Sequence, residues 1–243
     1  MPESKLHVVL LRSTPCPEEI VAQAAKLCYS PASIDDLKEQ IERKGQTDFI
    51  GKLTDMRHLS PLEHVTFTFG VEGISRSCSH QIVRHRLASY SQQSQRYVGQ
   101  QSGKTGGFHF IVPPGIEKIG KKPWFIEKMH LIQQWYDELT EALGNQGEST
   151  FEDARFLLPN AAETKIIITM NARELLHFFQ VRCCNRAQWE IRELATEMLR
   201  QAKHISPQLF KNAGPGCVNG TCPEGKMTCG KTVEVREKFR HLP

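Results

Sequence analysis

Residues 64–97 read HVTFTFGVEGISRSCSHQIVRHRLASYSQQSQRY, and this segment says most about the fold. Its first nine residues alternate β-branched or aromatic residues with others, which is typical of a strand with one buried face. Residues 74–86 then predict a helix that leads into an arginine-rich motif. The chain from residue 89 to residue 107 is rich in Ser, Gln and Gly, which predicts a loop. The segment therefore predicts a basic, polar loop supported by a strand and a helix.

The sequence on either side of this segment predicts further strands and helices. Helix signals include a Pro in a first turn at Pro17, a capping box that begins at Ser33, and apolar residues spaced by three and four between Phe125 and Leu143. The remaining predicted elements are strands at 6–12, 108–112 and 166–170 and helices at about 173–182 and 187–204. We expect an α+β fold, with a mainly antiparallel sheet flanked by helices in a single domain at 1–213. A Gly/Cys-rich C-terminal tail at 214–243 is expected to follow it.

The charge of the chain is unevenly distributed. The formal net charge of the 243 residues is +4. Residues 73–116 contain five Lys and Arg and neither Asp nor Glu, so the rest of the chain sums to −1. A nearly neutral body with one cationic segment favours a localised anionic ligand over a generally basic surface.

Composition also excludes some classes of protein. No apolar run approaches the ~18–20 residues that a transmembrane helix needs, so we expect no membrane partner. The short apolar stretch before Arg12 is not followed by a cleavage site for a signal peptide, and it predicts a first strand. Eight cysteines without an export signal indicate a reducing compartment, and we expect a cytoplasmic protein.

Two familiar nucleotide motifs are not supported. Residues 99–105, GQQSGKT, resemble a P-loop, but they have three residues between the glycines where a P-loop has four. The following Gly106-Gly107 precedes a strand-like segment, whereas a P-loop leads into a helix that binds the phosphates. No G-x-G-x-x-G follows a predicted strand either, so a Rossmann dinucleotide site is not expected.

The arginine-rich motif itself, residues 84–97, contains three Arg, one His, three Ser and three Gln and no carboxylate. Guanidinium groups match phosphate oxygens, and hydroxyls and amides can contact phosphate, sugar or base edges. The composition alone leaves three interpretations open: a solvated basic loop, an RNA- or DNA-binding surface with Tyr90 and Tyr97 stacking on bases, and a site for a small phosphorylated ligand.

Two further segments carry candidate chemistry. On a helix, Arg173, His177 and Gln180 share one face, either as a functional face or simply as the solvated side of a surface helix. In the tail, Cys217, Cys222 and Cys229 follow a C-x4-C-x6-C pattern, but the fourth ligand of a zinc site is not evident, so we expect no metal site there. Reduced thiols, a redox-sensitive tail and a metal-dependent regulator are the alternatives for these cysteines.

The pattern Arg84-His85-Arg86, seven residues, then Ser94 resembles the signature of the flavin-dependent thymidylate synthase family. The resemblance covers roughly residues 15–205. Its supporting features are His58–His64 ahead of a strand, Gln81, Arg155, Asn171–Arg173, and Arg182 ahead of Ala187–Glu190.

The resemblance implies a methyltransferase that reductively methylates dUMP to dTMP. Methylenetetrahydrofolate would be the carbon donor, bound FAD the hydride relay and NADPH the reductant. It also implies a homotetramer with active sites shared between chains, and no nucleic-acid polymer as a partner. An RNA-binding module that uses the same basic motif is the alternative from another class.

By position, the resemblance implies a role for each matching residue. Arg182 would be catalytic, with its charge at the uracil edge making C5 more nucleophilic. Gln92 stands where the family often has Glu. The implied flavin contacts are Ser60, Arg84, His85, Arg86, Gln92, Asn171, Arg173 and His177. The implied dUMP contacts are Gln81, Arg84, Gln92, Ser94, Arg96, Arg155 and Arg182.

Overall fold

The computed structural model describes residues 2–243 and contains a four-stranded sheet with the strand order β1-β2-β4-β3. The strands are β1 (His7–Ser13), β2 (Thr66–Ser75), β3 (Ala88–Gln92) and β4 (Glu163–Asn171). The sheet is antiparallel, and the hydroxyls of Thr68 and Thr169 lie 2.9 Å apart across its central pair, β2 and β4. The predicted α+β class and the antiparallel sheet are confirmed.

Helices make up most of the remaining structure. In the described residues these are α1 (Pro17–Leu27), α2 (Ile34–Glu42), α3 (Thr47–Asp55), α4 (Arg76–Ile82), α5 (Ser102–Thr105), α6 (Pro114–Lys118), α7 (Lys122–Ala142), α8 (Glu148–Ala154), α9 (Ala172–Arg182), α10 (Trp189–Ile205) and α11 (Thr232–Arg240). Short 3-10 helices lie at Ser60–His64, Arg155–Leu157 and Gly225–Met227. None of the helices described for residues 2–243 is long and apolar enough to cross a membrane.

Both central strands lead directly into a helix. Strand β2 ends at Ser75, whose hydroxyl accepts a hydrogen bond from the backbone N–H of Cys78 at 3.0 Å and so caps α4. Strand β4 ends at Asn171, whose side-chain oxygen accepts from the backbone N–H of Glu174 at 2.8 Å and caps α9. Ser and Asn are strong N-cap residues because they satisfy N–H groups that the helix itself leaves unpaired. The starts of α4 and α9 are therefore fixed by the ends of the two central strands.

The chain forms two compact units, each assembled from several segments. The first comprises 2–7, 71–84 and 90–167. Its core includes the buried side chains of Phe108, Phe110 and Met129, against which α7 packs the partly buried Phe125 and Ile132. The buried Gln133 of the same helix accepts a hydrogen bond from the backbone N–H of Phe108 at 2.8 Å. This unit also holds β3 from residue 90 and the segment that follows it.

The second unit comprises 8–70, 85–89 and 168–243. Its core contains edge-to-face contacts of Phe210 with Phe67 and with Phe179, at centroid distances of 5.4 and 5.9 Å. Helix α1 packs on α2 and α3, and α9 packs on α10 and on the 3-10 helix Ser60–His64. The apolar face of α9 is therefore buried within this unit, and that burial orients its polar face.

The prediction of a loop throughout residues 89–107 was wrong in two places. Residues 88–92 form β3, because backbone and side-chain groups pair with β4: the N–H of Gln93 donates to the carbonyl of Lys165 at 2.9 Å. Residues 102–105 form the four-residue helix α5, which ends at Gly106 with a positive φ of 78°. The predicted strand at 108–112 is reduced to isolated bridges at Phe110. Helices α3, α6, α8 and α11 were not predicted.

Candidate functional site

The Arg-His-Arg motif lies in the connection between α4 and β3. Arg84 and Arg86 are exposed, whereas His85 between them is only 7% exposed. Strand β3 then takes up most of the seven-residue spacer, and Ser94 follows two residues after its end. The spacing in the sequence thus corresponds to the length of an edge strand.

In the second unit, His85 is held from both sides by helix α9. Its Nδ1 lies 3.1 Å from Oε1 of Glu174, and Nε of Arg182 donates a hydrogen bond to its Nε2 at 3.0 Å. The ring of Phe178 contacts the imidazole edge-on at a centroid distance of 4.9 Å, and the ring of His177 lies at 5.9 Å. We call His85, Glu174, His177 and Arg182 the His85 cluster.

The surroundings of His85 favour its neutral form. Burial lowers the pKa of His85 most, and the charges of Arg182 and His177 lower it further. The hydrogen bond and the negative charge of Glu174 act in the opposite direction, but the pKa still falls below its usual value. A neutral imidazole has one donor and one acceptor nitrogen. The contacts therefore assign Nδ1–H as the donor to Glu174 and Nε2 as the acceptor from Arg182.

The other predicted residues of the second unit lie along the same helix and beside it. Asn171 caps α9, while Arg173 and His177 are exposed on it. Arg173 forms an ion pair with Glu63 of the 3-10 helix that begins at the exposed Ser60. The structure therefore places an exposed row of hydroxyl, guanidinium and imidazole groups on α9 and the 3-10 helix.

In the first unit, the predicted residues gather near β3 and α8. Gln92 Nε2 donates to Oγ1 of the buried Thr164 at 2.9 Å, and Ser94 Oγ accepts from the backbone N–H of Arg96 at 3.2 Å. The guanidinium of Arg96 forms ion pairs with Glu148 and Glu152 of α8. These two carboxylates were missed in the sequence because they lie more than 50 residues from the motif.

Arg76 is a further residue of this unit that the sequence did not identify as part of a site. Burial lowers the pKa of Arg76, and the positive charge of Arg155 lowers it further. Arg155 Nε donates to the backbone carbonyl of Glu152 at 3.1 Å, and Gln81 Nε2 donates to that of Ser77 at 3.5 Å. Two neighbouring guanidiniums suit an anionic ligand such as a phosphate. Arg76 belongs to the acid-free segment, and this was the available signal.

The cysteine-rich tail brings thiols near one another. Burial raises the pKa of Cys217, and the neighbouring Cys222, Cys184 and Cys229 raise it further. Asn185 Nδ2 lies 3.8 Å from Sγ of Cys229. Within residues 2–243, no group of three or more His, Cys, Asp or Glu side chains is arranged to hold a metal ion.

Comparisons with known proteins agree with these features. Residues 9–208 match a family model described as thymidylate synthase complementing protein. The chain is 53% identical over 237 residues to a flavin-dependent thymidylate synthase of Geobacter sulfurreducens, which covers 98% of this chain and 99% of the relative. It is 50% identical to one of Clostridium tetani, with 96% and 97% covered.

A solved structure has a similar fold. It is a UMP/dUMP methylase PolB of Streptomyces cacaoi bound with 5-Br dUMP, with a TM-score of 0.70 and 22% sequence identity. The similarity covers 86% of this chain and 94% of that one.

Proposed function

The chain belongs to the flavin-dependent thymidylate synthase family, and we propose that it reductively methylates dUMP to dTMP with methylenetetrahydrofolate as the carbon donor, FAD as the hydride relay and NADPH as the reductant. The observation that carries the proposal is the contact between Arg182 and His85. It links the arginine expected at the uracil edge to the centre of the Arg-His-Arg motif.

The residues of the second unit fit a flavin dinucleotide. The chemistry that FAD supplies when bound is hydride transfer. Arg86, Arg173 and His177 are exposed donors, and Ser60 adds a hydroxyl. Arg173 would share its guanidinium between Glu63 and the ligand. Asn171 and His85 are the further proposed FAD contacts of this unit. Arg84 and Gln92 are also proposed FAD contacts.

The first unit offers a set of side chains for the nucleotide. Arg96 and Arg155 supply charge for the phosphate, and Ser94 supplies a hydroxyl. Gln81, Arg84 and Gln92 complete the proposed contacts. We assign Ser94 a binding role and not that of a nucleophile. Its Oγ accepts a hydrogen bond from the backbone N–H of Arg96.

Arg182 is the proposed catalytic residue. Its positive charge at the uracil edge would favour the form of the base with negative charge on N3 and O4, which makes C5 more nucleophilic. A fixed charge that meets developing negative charge needs little reorganisation during the reaction. The contact with His85 holds Nε of Arg182.

Assembly and location form part of the same proposal. We propose a cytoplasmic homotetramer with shared sites. The exposure of Arg86, Arg173 and His177 in a single chain supports sites that are completed by other chains. The eight cysteines are all free, which suits a reducing compartment.

The proposal is tested by colour and by product. Purified protein incubated with FAD should become yellow and should bleach anaerobically when NADPH is added. With dUMP and methylenetetrahydrofolate present, mass spectrometry should detect dTMP. Repeated failure to bind flavin would overturn the proposal. Tight, salt-sensitive RNA binding without flavin binding would favour the RNA-binding alternative instead.

A further inference from the structure

The family resemblance assigns no role to Glu174. It is the only acidic residue of α9, it is 7% exposed, and its carboxylate contacts His85. We propose that Glu174 is a positioning residue that fixes His85 in the tautomer able to hold Arg182, and thereby orients Arg182 toward the nucleotide. This inference rests on the proposed function of Arg182.

The placement of the three contacts along α9 supports the proposal. Glu174, Phe178 and Arg182 are spaced by four residues, so they occupy one face of the helix on successive turns. They contact Nδ1, the ring edge and Nε2 of the same imidazole. One buried histidine thus bridges about 12 Å of helix, from its first turn to its last residue.

The start of this arrangement is itself fixed. The side chain of Asn171 accepts the backbone N–H of Glu174, so the cap that begins α9 also places the residue that contacts His85. The carboxylate of Glu174 can only accept hydrogen bonds when ionised. It therefore requires a proton on Nδ1 of His85, and this leaves Nε2 unprotonated in the neutral ring.

An unprotonated Nε2 is what Arg182 needs. The guanidinium has donors only, so its Nε–H can bond to His85 solely when Nε2 is an acceptor. If the tautomer were reversed, Nε2–H and Arg182 Nε–H would face each other as two donors. Glu174 thus selects the one arrangement in which Arg182 is held, and the planar guanidinium is oriented with it. Supporting groups of this kind give a site its precision.

The same geometry argues against a direct catalytic role for Glu174. Its side chain is buried and in contact with His85, so it would act on the nucleotide only through His85 and Arg182. Glu174 is accordingly expected to affect turnover more than substrate affinity. A purely structural role would instead affect stability and leave the kinetic parameters of the folded protein unchanged.

The first experiment compares Glu174→Leu and Glu174→Gln with the wild type in steady-state dTMP formation by the full FAD-loaded enzyme. Glu174→Leu should lower kcat by about 10- to 100-fold, the range found for groups that orient a metal-binding histidine, with a KM for dUMP within about three-fold of wild type. Glu174→Gln keeps an oxygen that can accept the hydrogen bond from Nδ1–H of His85. Its kcat should therefore fall less than that of Glu174→Leu. Glu193→Gln, an exposed carboxylate of α10, serves as the control for loss of one charge.

The pH profile separates positioning from a structural role. The charges facing His85 are Glu174, Arg182 and His177, and Glu174 alone among them raises the pKa of His85. Protonation of His85 at low pH turns Nε2 into a donor and breaks the contact with Arg182. Removing the negative charge in Glu174→Gln makes this protonation harder. The acid limb of the pH profile of kcat should therefore move to lower pH in Glu174→Gln. An acid limb that does not move, together with an unchanged kcat in both Glu174→Leu and Glu174→Gln, would overturn the proposal.

A crystal structure of Glu174→Leu provides a readout that does not depend on turnover. We expect Arg182 Nε to leave hydrogen-bond distance of His85 Nε2 while the backbone of α9 stays in place. An unchanged Arg182 would contradict the proposal. If the wild-type protein makes no dTMP, the proposed function fails, whereas this structural test of the positioning role still gives its answer. In the Glu174→Leu/Arg182→Ala double variant, turnover should equal that of Arg182→Ala alone, because both changes act through one group.

Discussion

Nε of Arg96 lies 3.0 Å from Oε2 of Glu152, and the same guanidinium also pairs with Glu148. An arginine proposed to bind the phosphate of dUMP is thus held by two carboxylates. Because the side chain of Arg96 is 45% exposed, these ion pairs are partly screened by water. A phosphate with higher charge could replace them or share the guanidinium.

Glu152→Gln is therefore expected to tighten dUMP binding. The carboxylate competes for Arg96, and an exposed ion pair contributes about 0.2–1 kcal/mol, so Kd should fall by about 1.4- to five-fold. Isothermal titration calorimetry of the FAD-loaded enzyme measures this directly. Glu141→Gln, an exposed carboxylate at the end of α7, is the control. Weaker binding by Glu152→Gln alone would mean that Glu152 orients Arg96 for the phosphate and does not compete with it.

Replacement of Arg182 should separate flavin binding from turnover. Arg182→Ala removes the charge proposed to stabilise the developing anion, and loss of one such donor costs about 100- to 1000-fold in kcat. The absorbance of bound FAD should stay unchanged, because Arg182 itself is not among the proposed flavin contacts. Arg200→Ala, a surface arginine paired with Glu197, is the control. Loss of FAD with normal turnover when FAD is in excess would contradict the role assigned to Arg182.

The sequence predicted those parts of the fold and site in which neighbouring residues determine the outcome. Periodicity located α7, helices were also predicted at the positions of α9 and α10, and a capping box located α2, since Ser33 Oγ does accept the N–H of Asp36. Strand β3 was missed because its SYSQ residues carry little apolar signal, and its pairing with β4 creates the strand. Glu174 was missed for a similar reason: it is 89 residues from His85, and only the fold brings the two together.

Gly73 offers a test of backbone geometry in the first unit. Its φ of +71° disfavours side chains, and an added Cβ would lie 1.8 Å from the backbone carbonyl oxygen of Lys5. Backbone on both sides must move to relieve such a clash, and the N–H of Gly73 also donates to Glu163 Oε1 at 2.9 Å. Gly73→Ala should therefore destabilise the protein by about 3 kcal/mol or more, within the range of strain and overpacking.

Denaturant melts of Gly73→Ala and Gly103→Ala make the comparison. Gly103 has open space around the position of a Cβ and no positive φ, so its substitution should change the free energy of unfolding by less than about 0.5 kcal/mol. Equal stability of the two variants would show that the approach of Lys5 to Gly73 is not maintained in solution.

The cysteines should differ widely in their reactivity toward iodoacetamide. The thiolate is the reacting form, and burial raises the pKa of Cys183 to about 12. At pH 8 only about one in ten thousand of these thiols is ionised, and the side chain is buried as well. Cys16 and Cys28 are exposed and should be alkylated in the native protein, whereas Cys183 should be spared.

Peptide mass spectrometry identifies the modified residues. Guanidinium-denatured protein, in which all eight thiols should react, provides the control. Rapid labelling of Cys183 in the native protein would mean that its burial at the end of α9 is not maintained in solution.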